Sequence, residues 1–213
     1  MGRIVSLLIG ITFIFAETKE GDIGFRYGFL SKSSYDSKNI NVLSDSSIIH
    51  SGDLLKINIG YKNKTNFYIV YRDADGGFVE LYSPDEEKDS KEDTLYVYPL
   101  HWSPMENPPG IETFYFINSI NSISELDKLM QRYDKAPPKG KTKLAIRIQE
   151  QIDTLDPNVQ DDIASIASRL DKPIVGGVAF RGDDDDKLKD ISVTHECMGE
   201  GGIAFQKIVL IHQ

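Results

Sequence analysis

A single cysteine, Cys197, stands in the 213 residues, so no disulfide can form within the chain. The core has to hold the fold without one. Basic residues are in the minority too: 24 Lys and Arg against 33 Asp and Glu leave a formal net charge of -9 at neutral pH. A surface of that sign repels phosphate, which argues against nucleic acid and anionic headgroups as partners. Also absent are a Gly-x-Ser-x-Gly elbow, a His-Glu-x-x-His pair, a Cys-x-x-Cys pair and a phosphate-cradling glycine loop. The usual local signatures of nucleophilic, metal and nucleotide chemistry are therefore missing. Neither an internal repeat nor a linker divides the chain. Its length and 40% hydrophobic content suit one domain with an embellishment.

The one long apolar run is at the start. Arg3 forms a short basic region, residues 4–15 are apolar, and the small Ala16 precedes the polar string ETKEGD. This is the pattern of a secretory signal over residues 1–16, and it is short for a membrane span. The mature chain is expected to start near Glu17 and to be extracytoplasmic, either periplasmic or secreted. An uncleaved anchor is the competing reading, because Ile14 is not the ideal small residue at the minus-three position. No cysteine follows the run, which argues against a lipid-anchored precursor. Removing the segment removes Arg3, its only charged residue, and takes the formal charge from -9 to -10.

The clearest local structure is a hairpin. Phe67-Tyr68-Ile69-Val70-Tyr71 and Phe78-Val79-Glu80-Leu81-Tyr82 are rich in aromatic and β-branched residues, and Asp73-Ala74-Asp75-Gly76-Gly77 between them can reverse the chain. Leu55, Ile57, Ile59 and Tyr61 alternate with Lys56, Asn58 and Gly60, the period of a half-buried strand. Short links from that strand into the hairpin predict a three-strand meander. Further strands are expected at residues 24–30, 94–100, 111–117, 174–180, 188–194 and 203–211, with a glycine-rich reversal over 196–202 before the last. Both faces of that closing strand carry apolar residues, so it belongs inside a sandwich or beneath helices.

Between residues 122 and 170 the period changes to that of helices. Ser122 and Glu125 are spaced as a capping box, and Leu126, Leu129, Met130 and Tyr133 fall on one face. A second helix is expected over 142–155 with Leu144, Ile148, Ile152 and Leu155 in register. A third opens at Asp156-Pro157 and carries Val159, Ile163, Ile166 and Leu170. The fold class is α+β: one antiparallel β-sandwich-like domain over residues 17–213 with a helical insertion at about 122–170.

Several residues could carry chemistry. Asp73 to Gly77 resembles the opening of a calcium loop, but the distal acid such a loop needs in a helical frame is replaced by Glu80 within a strand. The aspartates at 183–186 attract cations but come from one direction, as a solvated acidic loop does. Arg181-Gly182-Asp183 matches an adhesion tripeptide too short to carry weight. Glu80 and Glu112 on separate strands are the candidate acid and base of a hydrolase. His50, His101, His195 and His212 are dispersed, and no zinc site, other metal or cofactor is expected. Cys197 reads as a small apolar residue near a strand end, although His195 stands two residues away. Trp102 lies in an irregular, proline-containing segment, where an aromatic can anchor a partner. A partner-binding surface is expected at His101, Trp102, Pro108 and Pro109, with Trp102 plugging the end of the sandwich as its structural alternative.

Four pieces in order resemble the bacterial domain-of-unknown-function family 4384. They are Ser51-Gly52-Asp53 before an alternating strand, Phe67-Tyr68-Ile69-Val70 with Asp73 to Gly77 and Leu81-Tyr82-Ser83-Pro84, Tyr96-Val97-Tyr98-Pro99-Leu100, and Pro108-Pro109-Gly110-Ile111-Glu112 leading into an aromatic strand ending at Ser119. Together they span residues 48–120. The resemblance implies an exported β-sandwich module with an accessory or interaction role, and it supplies no catalytic residues. It does not cover the helical insertion. The expected function is non-enzymatic binding of a protein or glycan partner in the bacterial envelope through loops. Hydrolysis by strand-borne carboxylates and calcium-dependent adhesion are the alternatives.

Overall fold

A computed structural model describes residues 23–62, 65–83, 95–99, 101–106, 108–157, 195–199 and 201–213. The signal pattern, the acidic loop at 85–93, the whole third helical stripe from Val159 to Leu170, the expected strands at 174–180 and 188–194, and the aspartates at 183–186 lie outside the described residues.

Two sheets face each other. In the first, β1 (Ile23–Lys32) lies between β10 (His195–Gly199) and β4 (Leu54–Lys62), and β7 (Leu95–Pro99) follows β4. The short β2 (Asn41–Leu43) pairs with the last residues of β1, and β8 (Ser103–Pro104) with the first of β4. The second sheet runs β3 (Ser47–Ile49), β11 (Ile203–His212), β9 (Gly110–Ser119), β5 (Asn66–Arg72), β6 (Phe78–Tyr82). Among the described residues every pairing is antiparallel except that of β3 with β11, and two helices, α1 (Ser124–Lys135) and α2 (Pro138–Asp153), follow β9. The fold is α+β and sandwich-like. No helix among the described residues is long and apolar enough to cross a membrane.

Period-two alternation builds the inner core. Phe25, Tyr27 and Phe29 of β1 and Leu55, Ile57, Ile59 and Tyr61 of β4 meet Phe67 and Ile69 of β5 and Phe114 and Phe116 of β9. Phe116 is the hub: its ring centroid is 5.2 Å from that of Tyr27, 5.5 Å from Phe29, 6.1 Å from Phe25 and 6.4 Å from Phe67. The other face of the second sheet builds a second core. There Tyr68, Val70, Tyr115, Ile117 and Phe205 pack under Leu126, Leu129, Met130 and Tyr133 of α1 and Ile148 and Ile152 of α2. Each such aliphatic side chain contributes about 1.5–3 kcal/mol on burial. Burial on both faces is why β5, β9 and β11 read as apolar without clean alternation.

The helical pair sits where its stripes predict, but its starts differ. Ser122 does not cap α1; its hydroxyl turns to the Asp127 carboxylate at 3.3 Å. Ile123 takes the N-cap position, and its N–H donates to the Tyr68 hydroxyl at 3.1 Å. The sheet thus satisfies a helix end that the capping box was expected to satisfy. α2 begins at Pro138, four residues earlier than its stripe indicates, because a proline with no N–H to lose fits the first turn.

The predicted meander does not form. β4 belongs to the first sheet and the β5–β6 hairpin to the second, so the chain changes sheets between Lys62 and Asn66. β4 has one apolar face and is satisfied beside β1, whereas β5 needs a position buried on both sides. The glycine-rich reversal is shorter than expected: β10 continues to Gly199, and Gly201 and Gly202 turn with φ of +67° and +84°. A Cβ on Gly199 would overlap the Ile203 carbonyl, so glycine alone allows the chain to pass that closely into β11.

Candidate functional site

At the end of the sandwich where β4 and β9 begin and β5 ends, a cavity of about 500 Å³ opens between the sheets. Leu55 and Ile57 of β4, Phe114 of β9, Leu81 of β6 and Met105 give it apolar walls. β8 fixes the mouth. Leu55 pairs with Ser103, the Met105 N–H donates to the Asp53 carbonyl at 2.8 Å, and the Gly52 N–H to the Met105 carbonyl at 2.8 Å. A space of this size suits a small molecule or an inserted side chain.

The buried polar lining is Glu112, 1% exposed on a face otherwise occupied by Phe114 and Phe116. Its Oε2 accepts from the Tyr71 hydroxyl at 2.7 Å. Its Oε1 lies 3.0 Å from His212 Nδ1, whose side chain is wholly buried. An ionised carboxylate can only accept, so Nδ1 carries the proton and donates. His212 Nε2 is in turn 2.9 Å from Ser51 Oγ at the surface. Burial, followed by the hydrogen bond and charge of Glu112, pushes the Tyr71 hydroxyl far above its ordinary range and keeps it a donor.

Serine, imidazole and carboxylate in file are the order of an acyl-transfer triad. Two features oppose that use. With no exposed edge, the His212 ring cannot reach a leaving group. The N–H groups of the Ser51 turn are also engaged, those of Ser51, Gly52 and Asp53 donating to the carbonyls of Gln213, Met105 and His50 at 2.8, 2.8 and 3.0 Å. They are not available as oxyanion donors there. The strand acids do not meet either. Glu80 pairs with Val70 on the helix-covered face of the second sheet, and Glu112 shares the inner face with Phe114. An acid and base on opposite faces of one sheet cannot flank one bond.

Of the residues expected at a partner surface, His101 and Pro108 line the cavity, and Pro109 is exposed beside it. Trp102 is not brought there. It is half-buried elsewhere, its ring 4.6 Å from Lys32 Nζ and 5.7 Å from Lys56 Nζ. The calcium-like string is a closed turn: Asp73 Oδ1 accepts from the Gly77 N–H at 2.6 Å, and Gly76 takes φ of +82°. Among the described residues no three His, Cys, Asp or Glu side chains group to hold a metal. His50 is exposed, and its N–H donates to the Asp53 carboxylate at 3.0 Å.

Cys197 is buried, its Sγ 3.4 Å from the Phe205 carbonyl, and burial pushes the thiol up to about 11. His195 stacks on Tyr27 at 5.1 Å, and burial lowers its pKa. A thiol so raised is protonated at neutral pH and is a poor nucleophile. Burial, with Cys197 and Asp45 adding, raises Tyr27 to about 12. In the unfolded chain these groups lose their protons near 9.0 and 10.0. The folded state therefore holds more protons above pH 9, and stability falls as pH rises from there. Urea midpoints should be level between about pH 7 and 9 and decline through about 11, the thiol's folded value, and they should also fall on acidification below 6.5, where the unfolded chain takes up a proton that buried His195 resists. Iodoacetamide should modify Cys197 far more slowly in the folded than in the unfolded protein.

Ser51 and His212 were not evident as a pair in the sequence, being 161 residues apart, and Glu112 is 100 residues from His212. No family model, curated protein or solved structure matches the chain.

Proposed function

We propose that this chain is an exported accessory module of the bacterial envelope, without catalytic activity, that receives a segment of a partner protein in the cavity at the end of its sandwich. The cavity itself carries this reading: an open, apolar-walled space between two sheets, with His101 and Pro108 at its lining. The signal-like residues 1–16 and the resemblance of residues 48–120 to family 4384 support the same role. A protein partner is favoured over a glycan because the walls are mainly aliphatic, whereas a sugar ring stacks best on an accessible aromatic face. Trp102, which could offer one, lies under Lys32.

The Ser51–His212–Glu112 file is the observation that would favour hydrolysis. The buried imidazole and engaged turn amides instead fit a structural link between surface and cavity wall. A photoreactive amino acid placed at His101 or Pro108 tests the proposal in intact cells. It should crosslink one partner protein reproducibly, and the same group at exposed Ile146 on α2 should not. Equal crosslinking from both positions, or none from the cavity, would count against it.

A further inference from the structure

We propose that the group received in the cavity is cationic: an ammonium or guanidinium on an apolar stem, as a lysine or arginine side chain of the partner would present it. This rests on the binding-module reading above and adds the chemistry of what is bound.

Among the described residues that line the cavity, the charges are of one sign. Asp73, Glu106 and Glu112 line it with the His101 imidazole, and no Lys or Arg is among its described lining residues. A second depression differs. It lies between the β5–β6 turn and α2, where Arg72 and Lys141 stand among Asp73, Asp75 and Glu150, so it shows no preference of sign. In the first cavity Glu112 is the innermost acid, with Tyr71 on one oxygen and His212 on the other. Each carboxylate oxygen has a second lone pair, so one further donor can be accepted without displacing either partner.

Depth adds to sign. Leu55, Ile57 and Phe114 form the wall beside Glu112, while Glu106 is exposed at the mouth. A methylene stem lies well along such a wall, with its charged head left for the acids, as long basic side chains commonly do. An anionic ligand would meet three carboxylates in a space with less water than the surface, where like charges repel strongly. The formal charge of -9 attracts cations from a distance as well.

Three probes with one body and different heads isolate the charge: 4-phenylbutylammonium, 4-phenylbutanol and 5-phenylpentanoate. Each is titrated into the whole protein and followed by the methyl resonances of Leu55, Ile57 and Met105. The ammonium should bind about tenfold more tightly than the carboxylate. Glu106→Gln, at an exposed position, should narrow that preference and leave the fold intact. Equal binding of the three heads, tighter binding of the carboxylate, or no methyl response to any probe would overturn the assignment. If the partner still crosslinks at His101 in such a case, only the cationic assignment falls. If it does not, the binding-module reading falls too.

Discussion

Glu112→Ala is expected to destabilise the protein by about 3–5 kcal/mol, the cost of stranding one partner of a buried pair. The substitution leaves the His212 ring, with none of its side chain exposed, without an acceptor for Nδ1–H, and removes the acceptor of the Tyr71 hydroxyl as well. Urea denaturation measures the effect. Replacing both partners, as in Glu112→Met with His212→Leu, should recover most of the loss, because no polar group is then left stranded between the sheets. Tyr71 lines the cavity, where water can serve its hydroxyl. A loss below about 1 kcal/mol for Glu112→Ala would mean that the pair behaves as a surface pair does, and the buried file would be wrong.

Phe116→Ala should cost a similar amount, about 3–5 kcal/mol, for a different reason. The ring touches aromatics from β1 in the first sheet and β5 in the second, so its loss opens a void between the sheets rather than beside one. Ile111→Ala on the same strand provides the comparison. That side chain is 56% exposed, and its removal should stay within about 0.5 kcal/mol. Comparable midpoints for the two variants would contradict the packing of β9 against β1.

Much of this fold was legible because its strands are long and their side chains alternate. The β5–β6 hairpin could be read from two apolar runs around Asp73 to Gly77, and the helical stripes of α1 and α2 placed Leu126, Leu129, Met130, Ile148 and Ile152 in the core where they lie. Sheet membership was not legible. The link from β4 to β5 is short enough for a meander, and only the demand of β5 for burial on both faces sends it to the other sheet. Two- and three-residue strands such as β2, β3 and β8 fall below any periodic window, and the N-terminus of α1 is satisfied by Tyr68 from the sheet. In the site, His101 and Pro108 could be anticipated from an irregular, proline-rich segment. Ser51, Glu112 and His212 could not be joined, since the pairing of β9 with β11 brings Glu112 to His212, and that of β3 with β11, continued by the Ser51 N–H on the Gln213 carbonyl, brings Ser51. One signal was available in part: Glu112 shares its inward parity with Phe114 and Phe116, and His212 with Ile208 and Leu210. Two polar groups at core positions of neighbouring strands are a reason to expect that they bond each other.

The cavity between the sheets as the recognition site is tested most directly by methyl spectra of the protein with and without the partner crosslinked at His101. Shifts at Leu55, Ile57, Leu81 and Met105, with Met130, Ile148 and Ile152 beneath the helices unmoved, are the expected result. Movement confined to the helix-covered side, with the cavity methyls unchanged, would place recognition elsewhere and contradict it.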